Sequence, residues 1–512
     1  MPRALLSVYD KTNLVTFART LVELGWDLVA SGGTEVALRA AGLSVVTVEQ
    51  LTGVPEMLGG RVKTLHPAVY AGILSRDLPE DFESLQSFGF APINMVICNL
   101  YPFQETISRS GITLQDAIEQ IDIGGVALLR AGAKNFFHVI VVNDPNDYAN
   151  VSAELKASGS VTLATRRKLS IKAFAHTRDY DTAIHAFLSQ DFVPSPISSE
   201  LPQHLSIGMH RVDALRYGEN PHQIAGYYSR SSNAGPLGGS VLGGKQLSYN
   251  NILDLDAAWR AVSSLSEPGV VIVKHLNPCG IAEGNSIAEA FTAALASDPQ
   301  SAYGGVIATN RPVEDEFVSA LGTLFVEAIA APSFSPIAQN LFINNRKNCR
   351  LLAMPSSPTL LEFEVRSVKG GWLVQSSDAG DPDDTVFQVV TTRAPNNSER
   401  NALQFAWKAV QNIKSNAIVL AVDNATVGIG GGLSSRVDSV NLAISKAGHR
   451  VKESVMASDA FFPFADSIEV AAKDGITAII QPGGSIRDNE VIEAANSANI
   501  AMIFTGVRHF RH

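Results

Sequence analysis

Three polar side chains able to take part in acid–base chemistry follow a run of apolar residues in the second half of the chain. The run 270–273 (VVIV) predicts a strand buried on both faces, and Lys274, His275 and Asn277 come where it ends. Pro278 and Gly280 are expected to fix the turn there. An imidazole beside an ammonium ion is favoured in its neutral, proton-accepting form, and the ammonium ion can face a developing oxyanion. The pair suits acyl or formyl transfer to an amine. The alternative is a solvated lysine beside a structural histidine.

Polar loops also follow the predicted strands of the first half. Ser7, Asp10 and Lys11 come after the first predicted strand (ALLSV), and the 31–34 loop (SGGT) comes after the second (WDLVAS). Glycines expose backbone N–H groups, and the N-terminus of a helix carries a partial positive charge. The SGGT loop is therefore a candidate phosphate cradle, and its alternative interpretation is an ordinary turn.

Three further segments of the first half carry side chains for phosphate binding and proton transfer, without a strong nucleophile. GRVKTLHP and NLYPF are loops, and IDIGG precedes a helix whose far end is basic. Several of these residues also have a structural interpretation: Asp122 as a helix N-cap, Lys134 as a charge near a helix C-terminus, and Tyr101 as part of the core. As a set they favour a functional site. These residues are Arg61, Lys63, Asn99, Tyr101, Asp122, Arg130 and Lys134.

Alternating strands and helices position these residues. The first 150 residues predict a doubly wound α/β domain, with later strands at 95–100 and 138–142 flanking a helical stretch, 114–133. Residues 190–206 are rich in Pro and Ser and predict a domain junction. The second half alternates strand and helix twice, which suggests two similar subdomains. Its VGIGGGLSSR segment lacks the spacing of a dinucleotide-binding fingerprint.

Composition excludes several classes of protein. The 512 residues are 46% hydrophobic and only 18% charged, which favours large cores or subunit contacts and therefore an oligomer. A formal net charge of −10 argues against a nucleic-acid partner. Three scattered cysteines give no disulfide framework, and neither a signal-peptide core nor a membrane-spanning run is present. We expect a cytoplasmic protein.

Taken together, the motifs resemble those of the bifunctional purine biosynthesis proteins, which join phosphoribosylaminoimidazolecarboxamide (AICAR) formyltransferase to IMP cyclohydrolase. The resemblance runs in order over essentially the whole chain. It implies formyl transfer from 10-formyltetrahydrofolate to AICAR, and then dehydrative ring closure of formyl-AICAR to IMP. The first half contributes SVYDK, SGGT, GRVKTLHP, NLYPF, IDIGG and RAGAKN, and the second half LRYGENPHQ, GKQLSYNN, VKHLNPCG, SNAIVLA, GGGLSSR, SDAFFPF, QPGGS and VRHFRH.

The resemblance implies roles for the second half in formyl transfer. His275 matches the family's proton acceptor, Lys274 the group that stabilises the transition state, and Asn416 a residue that orients the AICAR carboxamide. Arg216 and Arg508 are the expected ligands of the AICAR phosphate. The positions that match AICAR contacts are Arg216, Tyr217, Gly304, Glu327, Arg436, Phe461 and Arg508. The positions that match the folate side are Val437, Asp466, Ser485 and Ile486.

The resemblance also implies roles for the first half in ring closure, which needs a held conformer, proton transfer and oxyanion stabilisation. Lys134 matches the family's catalytic lysine. Residues that match nucleotide binding or stabilisation of the tetrahedral intermediate are Tyr101, Asp122, Lys63 and Thr64. The remaining matches to the IMP site are Ser7, Lys11, Ser31, Gly32, Gly33, Thr34, Arg61, Asn99 and Gly124.

The implied architecture is α/β: a methylglyoxal-synthase-like doubly wound domain over 1–195, then two cytidine-deaminase-like α/β subdomains over 196–512. The implied assembly is a homodimer with the formyltransferase site at the interface, with folate as cosubstrate, no tightly bound cofactor and no metal. Two alternatives remain. A zinc nucleoside deaminase needs a P-C-x-x-C pair, but Pro278-Cys279 is followed by Ala282 at the second ligand position. Alternatively, the first half is a regulatory module that binds IMP without cyclising its precursor.

Overall fold

A computed structural model describes residues 1–109, 111–189, 201–229, 235–355 and 363–512. The chain forms two compact units, Met1–Met209 and His210–His512. Most of the predicted Pro- and Ser-rich junction, including the predicted boundary after residue 195, lies outside the described residues. We therefore describe each unit by itself.

The first unit is built on a five-stranded sheet in the order β3-β2-β1-β4-β5, in which every pairing is parallel. The predicted strands of the first half are confirmed, and their apolar residues form the core of the unit. The strands are β1 (Arg3–Val8), β2 (Asp27–Ala30), β3 (Val46–Thr47), β4 (Met95–Asn99) and β5 (Ile140–Val142).

Helices connect these strands, as the doubly wound pattern requires. The predicted helical stretch 114–133 is two helices rather than one, because the IDIGG segment interrupts it between Glu119 and Gly124. The helices are α1 (Leu14–Glu23), α2 (Gly32–Ala40), α3 (Val48–Thr52), α4 (Pro67–Leu74), α5 (Pro79–Ser87), α6 (Phe103–Ile107), α7 (Leu114–Glu119), α8 (Gly124–Lys134), α9 (Tyr148–Ser158) and α10 (Leu163–Leu188).

The second unit is built on a twelve-stranded mixed sheet in the order β16-β21-β20-β19-β17-β18-β10-β9-β11-β12-β13-β8, with two separate hairpins, β6-β7 and β14-β15. The strands are β6 (His210–Leu215), β7 (Ala225–Ser229), β8 (Ser240–Gly243), β9 (Gly269–Lys274), β10 (Asn277–Glu283), β11 (Gly305–Thr309), β12 (Val326–Ala331), β13 (Arg350–Ala353), β14 (Phe363–Val368), β15 (Gly371–Ser376), β16 (Gln388–Val389), β17 (Ile418–Val422), β18 (Ala425–Gly430), β19 (Val455–Ser458), β20 (Ala478–Gln481) and β21 (Ala501–Phe504).

Helices cover both faces of this sheet, and apolar clusters lie on each side. They are α11 (Tyr249–Ser263), α12 (Ile287–Ser297), α13 (Pro299–Ala302), α14 (Asp315–Ala320), α15 (Pro336–Asn345), α16 (Asn397–Val410), α17 (Arg436–Ala447), α18 (Asp466–Asp474) and α19 (Asp488–Ser497).

The order of elements in the second unit is repeated. A helix, a two-strand hairpin and three further strands with intervening helices occur first from α11 to β13 and again from α16 to β21. Each repeat contributes five neighbouring strands of the sheet, in the orders β10-β9-β11-β12-β13 and β18-β17-β19-β20-β21, and β8 and β16 are the two outermost strands. The halves join through the antiparallel pairing of β10 with β18. The alternation of the sequence suggested this repeat, and the likeness of each half to a cytidine deaminase stays a prediction.

The predicted central strand is confirmed, but the turn after it differs from the prediction. The side chains of 270–273 are fully buried, and β9 pairs antiparallel with both β10 and β11. Pro278 and Gly280, expected to form the turn, lie inside β10. The turn is the two-residue segment His275-Leu276, since Lys274 pairs with Asn277.

Glycines in β10 and β18 let helices lie directly on the sheet. A Cβ atom on Gly430 would lie 2.0 Å from the carbonyl oxygen of Ser439 in α17, and one on Gly280 would lie 1.9 Å from that of Ala294 in α12. Both distances are far below van der Waals contact. Any larger residue therefore pushes the helix away from the strand.

We expect Gly430→Ala to destabilise the second unit by about 3 kcal/mol, the cost of forcing extra volume into a packed core. Gly243→Ala is the matched control, because a Cβ atom on Gly243 meets nothing within 4 Å. Urea unfolding compares the two variants. Equal midpoints for them would contradict the packing argument.

Candidate functional site

In the first unit, most of the polar residues singled out from the sequence lie at one edge of the sheet. The carboxyl ends of β1, β2 and β4 are neighbours in the strand order, and strand order reverses between β1 and β4. Ligands of open α/β sheets bind at such switch points. Ser7 lies at the end of β1, the 31–34 loop follows β2, and Asn99 ends β4.

Two lysines converge on the N-terminus of α2. A Cβ atom on Gly32 would lie 3.3 Å from the Nζ atom of Lys63, and one on Gly33 would lie 3.8 Å from the Nζ atom of Lys11. Gly32 has φ +52°, a conformation that favours glycine. Two ammonium groups beside the N–H groups of a helix start form a cradle for a phosphate.

Acidic residues that the sequence analysis did not single out pair with the basic side chains of this edge. Lys63 lies 3.1 Å from a carboxylate oxygen of Glu56 and 3.9 Å from one of Glu49. Arg61 is paired with Glu119. Glu49, Glu56 and Lys63 also line a cavity of about 200 Å³. The only sequence signal was the presence of two glutamates within 14 residues before Lys63.

Two predicted ligands of this edge use their side chains inside the protein. The buried hydroxyl of Thr34 accepts a hydrogen bond from the N–H of Val8 (3.0 Å) and donates one to its carbonyl oxygen (3.1 Å). The side-chain oxygen of Asn99 accepts from the N–H groups of Tyr9 (2.7 Å) and Asp10 (2.9 Å). Both residues therefore order the loops that carry Lys11 and the glycines.

The IDIGG segment brings Asp122 and Gly124 close to Thr64. The N-cap of α8 is Ile123 rather than the expected Asp122, but the carboxylate of Asp122 accepts from the N–H of Gly125 (2.7 Å) in the first turn. A Cβ atom on Gly124 would lie 2.8 Å from the Oγ1 atom of Thr64. Burial raises the pKa of the Asp122 carboxyl, although the bond from Gly125 acts in the opposite sense. Tyr101, beyond the end of β4, is half exposed and its ring lies 5.3 Å from that of Tyr9.

The structure does not bring Lys134 to this edge. Lys134 is the last residue of α8, whereas Asp122 precedes the first. Ten residues of helix separate the backbones of Gly124 and Lys134 by about 15 Å. Lys134 is exposed at the end of the helix that leads to β5, and its catalytic role stays a prediction.

In the second unit, the pairing of strands places the predicted formyltransferase residues on one edge of the sheet. The end of β9, the end of β18 and the start of β17 share that edge, because β9, β10, β18 and β17 are successive antiparallel neighbours. His275 follows β9, and Asn416 precedes β17. Three strand spacings of about 4.8 Å separate these strands.

The hairpin between β9 and β10 presents the proposed acid–base pair. The Nζ atom of Lys274 donates to the carbonyl oxygen of Tyr303 (2.7 Å), next to Gly304. His275 is exposed and has φ +55°, and Leu276 has φ +64°. A carboxylate that the sequence analysis did not single out, Asp254 in α11, accepts from the N–H groups of His275 (3.3 Å) and Leu276 (2.7 Å).

Asn416 and Arg436 belong to one buried network. The side-chain oxygen of Asn416 accepts from the guanidinium of Arg436 (2.8 Å), and its amide nitrogen donates to the carbonyl oxygens of Leu433 (3.0 Å) and Ser434 (3.1 Å). Arg436 also pairs at 2.5 Å with Asp459, whose side chain is fully buried. Most of the hydrogen-bonding capacity of Asn416 is thus used to hold Arg436 and the glycine-rich loop.

The other predicted AICAR positions differ in their partners. The guanidinium of Arg216 lies 5.1 Å from the ring centre of Tyr217, and that of Arg508 lies 4.7 Å from the ring centre of Phe510. Glu327 is already ion-paired with Arg350. Phe461 is partly exposed beyond β19.

Three of the four predicted folate positions lie after the ends of β19 and β20, and the fourth, Val437, lies after β18. Asp466 begins α18, and Ser485 accepts from the N–H of Arg487 (3.1 Å). Ile486 is fully exposed, and Val437 is half-buried in the first turn of α17.

Comparison with known proteins decides the family. Residues 132–446 match the family described as AICARFT/IMPCHase bienzyme, and residues 13–127 match the MGS-like domain. The chain belongs to the AICARFT/IMPCHase bienzyme family.

Its relatives cover the whole chain. Proteins titled "Bifunctional purine biosynthesis protein PurH" from Desulfitobacterium hafniense (strain Y51) and Bacillus subtilis (strain 168) are each 46% identical over 100% of this chain and 99% of their own. One from Sorangium cellulosum (strain So ce56) is 48% identical over the same shares. A solved structure titled "Crystal structure of ForH" is 36% identical over 36% of this chain and 98% of its own, with a TM-score of 0.33, too low to support an argument.

The resemblance stated from the motifs is therefore confirmed, as is the α/β fold with an N-terminal MGS-like domain. The chain is a bifunctional enzyme of purine biosynthesis, with AICAR formyltransferase and IMP cyclohydrolase activities. Among the residues that the structure describes, no helix combines the length and apolar character needed to cross a membrane.

The structure does not support the alternative interpretation as a zinc nucleoside deaminase. Among the residues that the structure describes, no group of three or more His, Cys, Asp or Glu side chains could hold a metal ion. Ala282, at the second ligand position, is buried in β10 and offers no ligand atom.

The sequence analysis did not single out His509, a buried histidine near the C-terminus. The two ring nitrogens of His509 lie 2.8 Å from Asp378 and 2.9 Å from Asp381, and Trp407 also donates to Asp381 (2.8 Å). The N–H of His509 donates to the carbonyl oxygen of Asp459. His509 thus anchors the segment that carries Arg508. VRHFRH gave no signal for this, because the aspartates are about 130 residues away.

We expect the stability of the second unit to fall at alkaline pH. Burial lowers the pKa of His509, but the carboxylates of Asp378 and Asp381 outweigh it and raise the pKa from 6.5 to about 9. The imidazolium therefore stabilises the fold fully below pH 6.5, by on the order of 3 kcal/mol, and this contribution is lost as pH rises through 9. Urea unfolding followed by tryptophan fluorescence at pH 6.5 and 10 measures the loss.

His509→Gln is the control for this pH dependence, since glutamine can bond to both carboxylates but does not titrate. The variant should be less stable than the native chain at pH 6.5 and should lose less stability between the two pH values. The same loss in both proteins would show that another group titrates.

Proposed function

We propose that the two units divide the two reactions, with ring closure in the first and formyl transfer in the second. The observation that carries this proposal is the shared sheet edge of the second unit, where Lys274 and His275 lie on the same side as Asn416 and Arg436. The separate phosphate cradle at the switch point of the first unit supports a second, independent site. The domain limits 1–195 and 196–512 belong to this proposal.

Formyl transfer requires a base for the amine and a cation for the oxygen. The AICAR amine attacks the formyl carbon of 10-formyltetrahydrofolate, and the amine proton passes to the imidazole of His275 as the C–N bond forms. The ammonium of Lys274 stabilises the negative oxygen of the tetrahedral intermediate. The intermediate then expels N10 of tetrahydrofolate, which takes the proton from the imidazolium. Arg436 is the cation held on the same edge by its network with Asp459 and Asn416.

Ring closure requires less of the protein, because nucleophile and electrophile belong to one molecule. The carboxamide nitrogen of formyl-AICAR attacks the formyl carbon, and the resulting carbinolamine loses water to give IMP. Lys11 and Lys63 hold the phosphate at the start of α2. Asp122, whose pKa is raised by burial, gives a proton to the departing hydroxyl and takes back the proton that the ring nitrogen loses as the C=N bond forms. Lys134 stays in the proposal as the catalytic lysine that the resemblance implies.

The proposal extends to partners and location. Formyl-folate is used as cosubstrate by AICAR formyltransferases, and we propose 10-formyltetrahydrofolate here, without a tightly bound cofactor or metal. We also propose a cytoplasmic homodimer that binds no nucleic acid. Support for the dimer comes from the β14-β15 hairpin, where Trp372 and Leu373 are 68% and 61% exposed.

We expect His275→Ala to lower the rate of formyl transfer by about two to four orders of magnitude, the usual contribution of a general base. Ring closure of supplied formyl-AICAR should be unchanged, because His275 lies in the second unit. The assay follows formyl-AICAR and IMP after the protein is mixed with AICAR and 10-formyltetrahydrofolate.

The native chain is the control for that assay, and its expected product is IMP. Formyl-AICAR that accumulates without IMP would instead favour a first unit that binds nucleotide without cyclising it. Loss of both activities in a folded His275→Ala variant would contradict the division between units.

We expect Lys134→Ala to lower ring closure by about two to four orders of magnitude, with formyl transfer retained. Lys156→Ala is the matched control, since Lys156 is an exposed lysine in the last turn of another helix of the first unit, α9. Normal ring closure in Lys134→Ala, together with its loss in Lys63→Ala, would transfer the catalytic role to the carboxyl edge of the sheet.

A further inference from the structure

The turn that carries His275 has an unfavourable backbone. His275 and Leu276 have φ +55° and φ +64°, within the left-handed region. Two-residue hairpins of this shape favour Asn, Asp and Gly, because other side chains clash there with their own backbone. Leu276, at the second position of the turn, is therefore in an unfavourable backbone conformation. Such strain persists only where surrounding contacts hold it, and it is concentrated at functional sites.

The corresponding hairpin of the second repeat has a less strained turn. There β17 is joined to β18 by Asp423-Asn424, residue types that tolerate left-handed backbone. Of these two, only Asp423 has a positive φ, +50°. The fold of the repeat therefore does not require two strained residues at this place.

Hydrogen bonds from two directions hold the first turn. Asp254 lies in the second turn of α11, and its two carboxylate oxygens accept separately from the N–H groups of His275 (3.3 Å) and Leu276 (2.7 Å). The side-chain amide of Asn277 donates to the carbonyl oxygen of His275 (3.0 Å). α11 packs on β9, so the carboxylate is fixed to the sheet that ends in the turn.

We propose that Asp254 is a positioning residue for His275 in formyl transfer. By accepting both N–H groups, the carboxylate keeps the turn in its strained form, and that form sets the direction in which the imidazole leaves the backbone. Without it the turn relaxes, and a shift of about 1 Å in a catalytic group can cost 10²-fold in rate. This inference rests on the proposed function of His275 as proton acceptor.

The test compares five variants of the full chain. Asp254→Ala removes both acceptors, and Asp254→Asn keeps one oxygen acceptor. Asp256→Ala is the matched control, because Asp256 lies on the same helix and its carboxylate pairs with Arg260 (2.9 Å) instead of the turn. Leu276→Gly relieves strain in the turn and is measured alone and combined with Asp254→Ala. The measurements are kcat and KM for AICAR in formyl transfer, and ring closure of supplied formyl-AICAR.

We expect Asp254→Ala to lower kcat of formyl transfer by about 10- to 100-fold with KM for AICAR within about twofold, and Asp254→Asn to lower it less. Asp256→Ala should keep the native kcat. Adding Leu276→Gly to Asp254→Ala should recover about tenfold, because glycine adopts the turn without help. Ring closure should be native in every variant, since it is assigned to the first unit. A KM for AICAR within about twofold of the native value shows that the second unit is folded.

A native kcat in Asp254→Ala, while His275→Ala is inactive, would overturn this inference and leave the proposed function intact. A loss of kcat that Leu276→Gly does not relieve would overturn it as well, since the carboxylate would then act otherwise than through the turn. A native kcat in His275→Ala would remove the proposed function and this inference together.

Discussion

The antiparallel pairing of β10 with β18 is the contact on which the second unit depends. Ala282 pairs with Ala425, and next to it the buried hydroxyl of Thr426 accepts from the N–H of Ile281 (3.0 Å) and donates to its carbonyl oxygen (3.2 Å). A side chain thus supplies hydrogen bonds that the backbone ladder would otherwise make. Because strand direction is set at this seam, the end of β9 and the start of β17 must face the same edge.

The second constraint at that edge is the cost of burying charge. Arg436 and Asp459 are almost without solvent contact, and such a pair is stable only when further hydrogen bonds satisfy both groups. Ser458 and Asn416 accept from Arg436, while the N–H of Ala417 donates to Asp459. The network fixes the guanidinium and leaves little freedom for the loop around it. A rigid cation near a strand end suits the recognition of a planar, anionic substrate better than a mobile one.

In the first unit, charged side chains are likewise concentrated at the switch point of the sheet. Lys11 and Lys63 lie beside a helix N-terminus, so positive charge accumulates where a phosphate is expected to bind. Glu49 and Glu56 offset part of that charge at Lys63. A phosphate that enters the cradle must compete with these carboxylates for the ammonium group. The lack of a side chain at Gly32 leaves room for Lys63, since a Cβ atom there would lie only 3.3 Å from its Nζ atom.

Residue order alone determined the family, the strands and most of the polar loops, because buried strands require continuous apolar runs and leave their polar residues at the ends. Only the tertiary structure decided which of these side chains meet. It placed the turn at His275-Leu276, where Asp254 of another helix binds the backbone, and it enclosed His509 between two distant aspartates. These outcomes depend on hydrogen bonds between residues 20 or more positions apart, and local patterns carry no record of such pairings.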